Sequence, residues 1–325
     1  MNIKKLFALL LAGILLLTIA GCSNENDKTG SGAGDKNVED VIISEDFLKY
    51  AVNADGTYEV VGYAYGGTDP HEVTIPDEFD GRAVTGIAAD AFKPHKTITS
   101  FKIEAKLTYI GDYAFCDCDG LTSITIPDTV TSIGKGAFQN CDKLESVTLP
   151  AGLTSISNYT FIECKALKAI TIPESVTYIC DYAFQKCTSL TEVTIPASVT
   201  DIGDGAFYEC SALKSATVLG SALGAPELNE KGEVVKEHKI GAIIFHGCYT
   251  DVNNPTLTVK VTVDTPFAKY VAEHEQIGTK LGAYLVEYYT ADGTLTDGPN
   301  VDVEDEEDEK IPEFDADDDN WTEIA

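Results

Sequence analysis

Apolar residues recur at a fixed interval of twenty-three positions through the middle of the chain. Leucine, phenylalanine, cysteine and proline each keep this interval independently. The phenylalanine column consists of Phe92, Phe115, Phe138, Phe161, Phe184 and Phe207, and the cysteine column of Cys118, Cys141, Cys164, Cys187 and Cys210. The leucine column consists of Leu121, Leu144, Leu167, Leu190 and Leu213, and the proline column of Pro127, Pro150, Pro173 and Pro196. A fixed period in the twenties indicates one small supersecondary unit that stacks on copies of itself.

Each unit combines a strand, a short apolar pair and a turn. From Leu121 to Pro127, apolar and polar residues alternate, which predicts a β-strand with one buried face that ends at the proline. Val130 and Ile133 form a second apolar pair, and residues 134–138 turn the chain. The residues expected to face inward are Leu121, Ile124, Ile126, Val130, Ile133, Ala137, Phe138 and Cys141. The strands of successive units are expected to lie parallel, ~4.8 Å apart.

The amino terminus has the pattern of an export signal. A charged start precedes an apolar run at 6–19, which is short for a membrane span and fits a signal-peptide core. The run ends in Ile-Ala-Gly-Cys22, which resembles the lipobox of bacterial lipoproteins. That resemblance implies cleavage before Cys22 and a diacylglycerol on its sulfur; the alternative is an ordinary secretory signal with an incidental cysteine. The polar residues 22–40 are expected to form a flexible tether.

The segments that flank the repeats predict caps, an insertion and a tail. Alternation around Asp55-Gly56 predicts a hairpin within an N-terminal β cap at 41–72. The insertion at 220–239 is either a tolerated surface loop or a functional element. Residues 257–290 are interpreted as a C-terminal cap, in which a strand at 257–261 is the last and a helix follows. Residues 291–325 form an acidic tail that is expected to be disordered by self-repulsion.

The consensus Cys-x-x-Leu-x-x-Ile-x-Ile-Pro-x-x-Val-x-x-Ile-x-x-x-Ala-Phe resembles the BspA-like leucine-rich repeats of bacterial surface proteins. The unit at Leu213 departs from it, with Ala216 where isoleucine or valine is expected. The resemblance implies an α/β-type repeat solenoid, a right-handed superhelix with a parallel β-sheet on its concave face. The repeats are expected at 73–256. The resemblance also implies a cell-surface location and an adhesive or recognition role, and it implies no catalytic residue.

Composition excludes several function classes. The net charge of −30 argues against nucleic-acid binding and against docking on anionic lipid, because both need a basic surface. The chain has no His-Glu-x-x-His, no phosphate-binding Gly-x-x-x-x-Gly-Lys and no Gly-x-Ser-x-Gly motif. We therefore expect no catalytic residue, no metal and no cofactor. The cysteine column is expected to be packing rather than a thiol or metal array, and Cys116 and Cys180 lie too far apart to pair.

Two threonine columns offer candidate binding groups. The first lies on the outward side of the main strand, and the second runs through Thr85, Thr108, Thr131, Thr154, Thr177 and Thr200. Threonine favours exposed strand positions, so β propensity alone can explain both columns. The alternative interpretation is that the hydroxyl groups form a surface that binds a glycan or a protein. The candidate concave-face binding residues are Thr125, Thr148, Thr171, Thr194, Thr217, Lys102 and Glu192. The tyrosines on the other side are expected to be edge packing.

The leading hypothesis is a monomeric protein, lipid-anchored through Cys22 to the outer face of a bacterial membrane, that recognises an extracellular protein or glycan. The alternative is a structural envelope scaffold, or a spacer for a neighbouring membrane protein. Neither hypothesis identifies the ligand, and Trp321 beyond the acidic segment has no assigned role.

Overall fold

The computed structural model describes residues 41–44, 47–64, 71–219, 223, 227–228, 234–236, 244–245, 247–248, 257–262, 265–269, 284–290 and 293–296. The predicted signal peptide, the tether with Cys22, the acidic segment 302–319 and Trp321 lie outside these residues. Among the described residues, no helix is long and apolar enough to cross a bilayer.

The fold is a solenoid of about eight stacked coils of about 23 residues each, with almost no helix, which confirms the predicted repeat architecture. Only residues 266–269 are helical within the described part of the chain. The chain enters through β1 (Ile42–Ile43), β2 (Leu48–Val52) and β3 (Tyr58–Tyr63). The antiparallel pairing of β2 with β3 confirms the hairpin predicted at Asp55-Gly56. The parallel pairing of β3 with the next coil then joins this hairpin to the stack.

One strand of each coil joins a ladder of parallel strands, here called the main ladder. Its strands are β4 (Glu72–Ile75), β7 (Ser100–Ile103), β9 (Ser123–Thr125), β11 (Ser146–Thr148), β14 (Glu192–Ile195), β16 (Ser215–Val218), β19 (Leu257–Thr262) and β20 (Tyr284–Tyr289). The coil between β11 and β14 has no assigned strand at 169–171, yet Lys168 bonds across it. Its N–H donates to the carbonyl of Glu145, and its carbonyl accepts from Thr191, both at 3.3 Å.

A second parallel ladder follows the first around each coil. Its strands are β6 (Arg82–Ile87), β8 (Tyr109–Ile110), β10 (Ser132–Ile133), β12 (Ser155–Ile156), β13 (Tyr178–Ile179) and β15 (Asp201–Ile202). The sequence pattern predicted only an apolar pair here, because two-residue strands are too short to show alternation. The short β5 (Glu78–Phe79) pairs antiparallel with β6.

The turn that closes a coil uses two left-handed residues, four positions apart, on either side of the phenylalanine; the coil at Phe92 has only the first. The first position is occupied by Asp90, Tyr113, Gly136, Tyr159, Tyr182 and Gly205, and the second by Asp117, Asn140, Glu163, Lys186 and Glu209. The N–H groups of the left-handed residues donate to the coil that follows, as Tyr113 does to the carbonyl of Lys135 at 2.8 Å and Asp117 does to that of Gln139 at 2.9 Å. Stacking hydrogen bonds therefore hold these residues in a conformation that non-glycine residues rarely adopt.

The phenylalanine column forms the centre of the core. All six rings are fully buried, and each lies nearly parallel to the next, as Phe138 and Phe161 do at 5.4 Å between centroids and 6° between planes. Phe245 continues the stack at 5.7 Å from Phe207, so the column resumes beyond the insertion. Aromatic stacking thus runs along the solenoid axis, with one ring for each coil.

The cysteine column is buried with free thiols. Each thiol donates to the phenylalanine carbonyl of the preceding coil, as Cys164 does to Phe138 and Cys187 does to Phe161, at 3.1 and 3.2 Å. A cysteine therefore packs as a small apolar group and also bonds to a carbonyl of the coil before it. Cys116 also carries a free thiol, so the expectation that it does not pair with Cys180 is confirmed.

Burial of these thiols predicts that the protein loses stability in alkali. Desolvation raises the pKa of Cys118 from 9.0 to about 12, and it raises the pKa of Cys141 and Cys210 well above 9.0. The unfolded chain ionises first, so stability is complete below about pH 9 and falls between pH 9 and 12. Urea unfolding at pH 7.5 and pH 10 measures the loss, which Cys118→Ala should reduce. Equal stability at the two pH values would contradict the burial argument.

The C-terminal end extends the stack further than predicted. β20 pairs parallel with β19 over six residues, so the strand at 257–262 is not the last, and the proposed cap begins as two more strands of the main ladder. β21 (Leu295–Thr296) then pairs antiparallel with β20, so this part of the segment predicted to be a disordered tail at 291–325 is ordered instead. Within the insertion, β17 (Glu227–Leu228) and β18 (Val234–Lys236) form an antiparallel hairpin. Leu223, four residues before this hairpin, is buried in the core of the solenoid.

Candidate functional site

The outward side of the main ladder, here called the main-ladder face, carries the predicted binding residues. In β9 and β11 the central residue is buried and the two flanking residues are exposed, so the outward positions alternate strictly. Of the candidates, Lys102, Thr125, Thr148, Thr171, Glu192 and Thr194 are exposed and Thr217 is half-buried. Thr171 lies in the coil that has no assigned strand.

The register of the main ladder aligns the hydroxyl groups in two files. Thr125 is paired with Thr148 and Ser123 with Ser146, so serine and threonine side chains face outward two residues apart on each strand. Farther along, Thr194 is paired with Thr217. Parallel strands lie ~4.8 Å apart, so each file presents one hydroxyl at about that interval.

The two threonine columns differ in what their hydroxyl groups contact. In the second column, Thr108 donates to the carbonyl of Thr85 at 3.0 Å and Thr131 donates to that of Thr108 at 3.3 Å. Thr177 and Thr200 each repeat this bond at 3.2 Å. On the main-ladder face, the described residues offer no hydrogen-bond partner to the hydroxyls of Thr125, Thr148, Thr171 and Thr194. In the second column the fold therefore bonds the hydroxyls of Thr108, Thr131, Thr177 and Thr200, whereas on the main-ladder face it leaves the threonine hydroxyls to solvent.

Charged groups lie beside and at the ends of the threonine file. Lys102 forms an ion pair with Glu104 at 2.6 Å, and this bond raises the pKa of the Lys102 ammonium. Lys168 and Glu145 form a second exposed pair at 2.7 Å, and Lys260 lies 3.9 Å from Glu287 at the far end. Glu72 and Glu192 are also exposed at outward positions of the ladder. The face therefore presents neutral hydroxyl groups together with these carboxylates and the ion pairs.

Tyr113, Tyr159 and Tyr182 lie at the turn edge, and Tyr109 and Tyr178 lie in strands of the second ladder. Tyr159 and Tyr182 stack at 5.7 Å between centroids, with 3° between their planes. A Cβ on Gly136 would lie 2.4 Å from the Tyr113 ring, so the glycine makes room for that ring. The Lys135 ammonium lies 5.9 Å from the centroid of Tyr113 and 5.4 Å from that of Tyr159. The position of this lysine between two rings was not predicted, because the contact joins residues from three coils.

In the described part of the chain, no group of three or more His, Cys, Asp or Glu side chains could hold a metal ion. Burial raises the pKa of the Cys210 and Cys248 thiols well above 9.0.

Comparison with known proteins finds a matching family model and solved structures that are similar to this chain. Residues 85–214 match the family model described as a BspA type leucine rich repeat region, in six copies. A leucine rich cell surface protein from Faecalibacterium prausnitzii A2-165 is similar at 27% identity, over 68% of this chain and 70% of that one, with a TM-score of 0.47. A T. pallidum leucine rich repeat protein is also 27% identical, over 63% of this chain and 88% of that one, with a TM-score of 0.43. No curated protein gives a significant match.

Proposed function

We propose that this chain is a bacterial surface protein whose main-ladder face recognises an extracellular protein or glycan. The observation that carries the proposal is the file of threonine hydroxyls that the fold leaves unbonded, next to a second file that the fold uses. Residues 85–214 match BspA-type repeats, and a similar solved structure is described as a cell surface protein. The proposal assigns no catalytic residue and no cofactor.

The physical case rests on rigidity and free hydrogen-bonding capacity. Hydroxyl groups on a sheet are already fixed in space, so a ligand that bonds to several of them loses little additional protein entropy. Because each hydroxyl both donates and accepts, the face can match the polar groups of a sugar or of a peptide backbone. Lipid attachment at Cys22 belongs to the same proposal, because it would hold the face outside the cell.

A first experiment tests whether the protein binds an extracellular ligand. The chain from residue 23 onward is applied to glycan arrays and to extracellular matrix proteins. Specific capture by at least one of these is expected, and uniform silence would count against a recognition role.

A reciprocal pair of variants then tests which threonines bind. Thr125→Val with Thr148→Val removes two unbonded hydroxyls, and about a tenfold loss of ligand affinity is expected with unchanged stability. Thr108→Val with Thr131→Val removes two bonded hydroxyls, and a loss of about 1 kcal/mol of stability per bond is expected with unchanged affinity. Isothermal titration and urea unfolding measure the two effects. Loss of affinity in the second pair alone would locate the site elsewhere.

A further inference from the structure

Exposed apolar side chains are concentrated at the N-terminal end of the solenoid. The structure describes six large apolar residues as exposed, and four of them lie between residues 42 and 52. These four, here called the apolar rim, are Ile42, Ile43, Phe47 and Val52, with 40, 57, 43 and 41% of their surface exposed. The other two are Leu219 and Leu295. No large apolar side chain is exposed between residues 71 and 218.

The apolar rim follows the outer edge of the first sheet. β1 is the terminal strand of that sheet, whose order is β1-β2-β3-β6-β8-β10. Ile42 is paired with the buried Tyr50, and Ile43 with the half-buried Lys49, so the two isoleucines point to opposite faces. The rim therefore surrounds an edge of the solenoid rather than covering one face, and a broad surface can contact it end-on.

The backbone holds one rim residue outward in an unfavoured conformation. Phe47 has a φ of 64°, in the left-handed region that bulky residues avoid. Its N–H donates to the carbonyl of Ser44 at 3.0 Å, and the Ser44 hydroxyl accepts from the N–H of Leu48 at 3.1 Å. The Phe47 ring contacts Tyr63, with 6.3 Å between centroids and 56° between planes, and 43% of the residue stays exposed. A residue in a strained conformation whose apolar ring stays partly in solvent indicates a role for that ring outside the fold.

We propose that the apolar rim rests on the surface of a bilayer of zwitterionic lipid, beside the lipidated Cys22. This inference rests on the lipid attachment in the proposed function. A flexible chain of the length of residues 23–40 would reach about 25 Å, and this reach would keep the rim close to a membrane that holds Cys22. Apolar side chains at an interface bury themselves at the boundary between headgroups and acyl chains.

The net charge of the chain favours zwitterionic lipid over a second copy of the chain and over anionic lipid. A net charge of −30 opposes the approach of a second copy of the chain, and it opposes anionic lipid equally. A zwitterionic surface carries no such repulsion. End-on contact stands the solenoid axis away from the bilayer, and eight coils at ~4.8 Å then project roughly 35–40 Å. The main-ladder face is left open to the outside along that length.

Fluorescence quenching tests the contact in the full lipidated chain. The chain contains one tryptophan, so Val52→Trp with Trp321→Phe moves the fluorophore to the rim. In phosphatidylcholine vesicles with brominated acyl chains, roughly twofold stronger quenching is expected at position 52 than at Trp321 of the unaltered chain. Ile43→Thr with Phe47→Asn should abolish the difference, and asparagine suits the left-handed backbone at 47, so the fold should persist. Leu295→Thr, which removes an exposed apolar side chain elsewhere, should leave quenching unchanged.

Mass spectrometry of the N-terminal peptide distinguishes failure of the rim contact from failure of the lipid attachment at Cys22. If Cys22 is acylated and position 52 is not quenched, the rim proposal is overturned and the anchor stands. If Cys22 is not acylated, the anchor fails. The chain from residue 23 onward is then held on the same vesicles by an N-terminal histidine tag on nickel-chelating lipid. Quenching in that form supports the rim contact, and its absence overturns it.

Discussion

Phe161→Ala is expected to cost the solenoid about 3–5 kcal/mol of unfolding free energy, the largest effect of any single substitution considered. The ring is fully buried and stacks at 5.4 Å on Phe138 and at 5.4 Å on Phe184. Alanine leaves a cavity in the middle of the column and removes two ring contacts at once. The neighbouring coils cannot close the gap, because parallel ladders fix the distance between them.

Thermal and urea unfolding followed by circular dichroism measure this loss. Phe161→Leu is the matched control, because it keeps most of the side-chain volume and should cost clearly less. An unchanged melting temperature for Phe161→Ala would mean that the column does not carry the core.

Gly134→Ala is expected to cost about 1–3 kcal/mol, because the added methyl group has no room between two coils. A Cβ at this position would lie 2.5 Å from the backbone nitrogen of Asp112 and 2.6 Å from the carbonyl carbon of Gly111. Both contacts are with backbone, which can move only if the coils separate. Gly203 is equally crowded, with Asp181 in the corresponding place.

Gly152→Ala is the control for this effect. Its added methyl would meet one atom, a carbonyl oxygen of Asp128 at 3.9 Å, and its φ is not in the left-handed region. The substitution should be neutral or stabilise by about 0.4–1 kcal/mol through the unfolded chain. Urea unfolding of the two variants side by side gives the comparison, and equal stability would exclude close coil contact at Gly134.

Two successive coils of the native chain carry a side chain in this column, Ser157 and Cys180. Cys180 keeps the backbone bond, because its N–H donates to the carbonyl of Ile156 at 2.9 Å. Ser157 occupies the place of Gly134 one coil later, and its hydroxyl donates to the carbonyl of Ile133 at 2.6 Å. In the preceding coil, the N–H of Gly134 itself donates to the equivalent carbonyl, that of Ile110. The second ladder is interrupted here, because β10 and β12 do not pair. Ser157 thus replaces a backbone bond with a side-chain bond where the coils part.

Periodicity alone was sufficient to predict the solenoid. Residues that recur every twenty-three positions occupy equivalent places in successive coils, so the phenylalanine and cysteine columns could be placed inside before any coordinates. The left-handed residues could not be predicted in this way. Their column mixes Asp, Tyr and Gly at one position, and Asp, Asn, Glu and Lys at the other, because stacking hydrogen bonds rather than residue type impose the conformation.

The candidate site shows where sequence reasoning stops. Thr131 and Thr148 belong to columns with the same spacing and the same strand propensity, and the sequence placed only Thr148 on the concave face. It could not show that the two exposed hydroxyls differ in hydrogen bonding, since Thr131 donates to the carbonyl of the coil before it and the described residues offer Thr148 no partner. The cysteine column was likewise predicted as packing, and its thiol bonds to the phenylalanine carbonyls depend on a three-dimensional register.

Methyl NMR of threonine-labelled protein, recorded with and without the captured ligand, tests the central claim most directly. The account predicts that the methyl signals of the main-ladder face shift and that those of the second column do not. The first set consists of Thr125, Thr148, Thr171 and Thr194, and the second of Thr108, Thr131, Thr177 and Thr200. Shifts confined to the second set, or an unperturbed first set with ligand bound, would contradict the assignment of recognition to the main-ladder face.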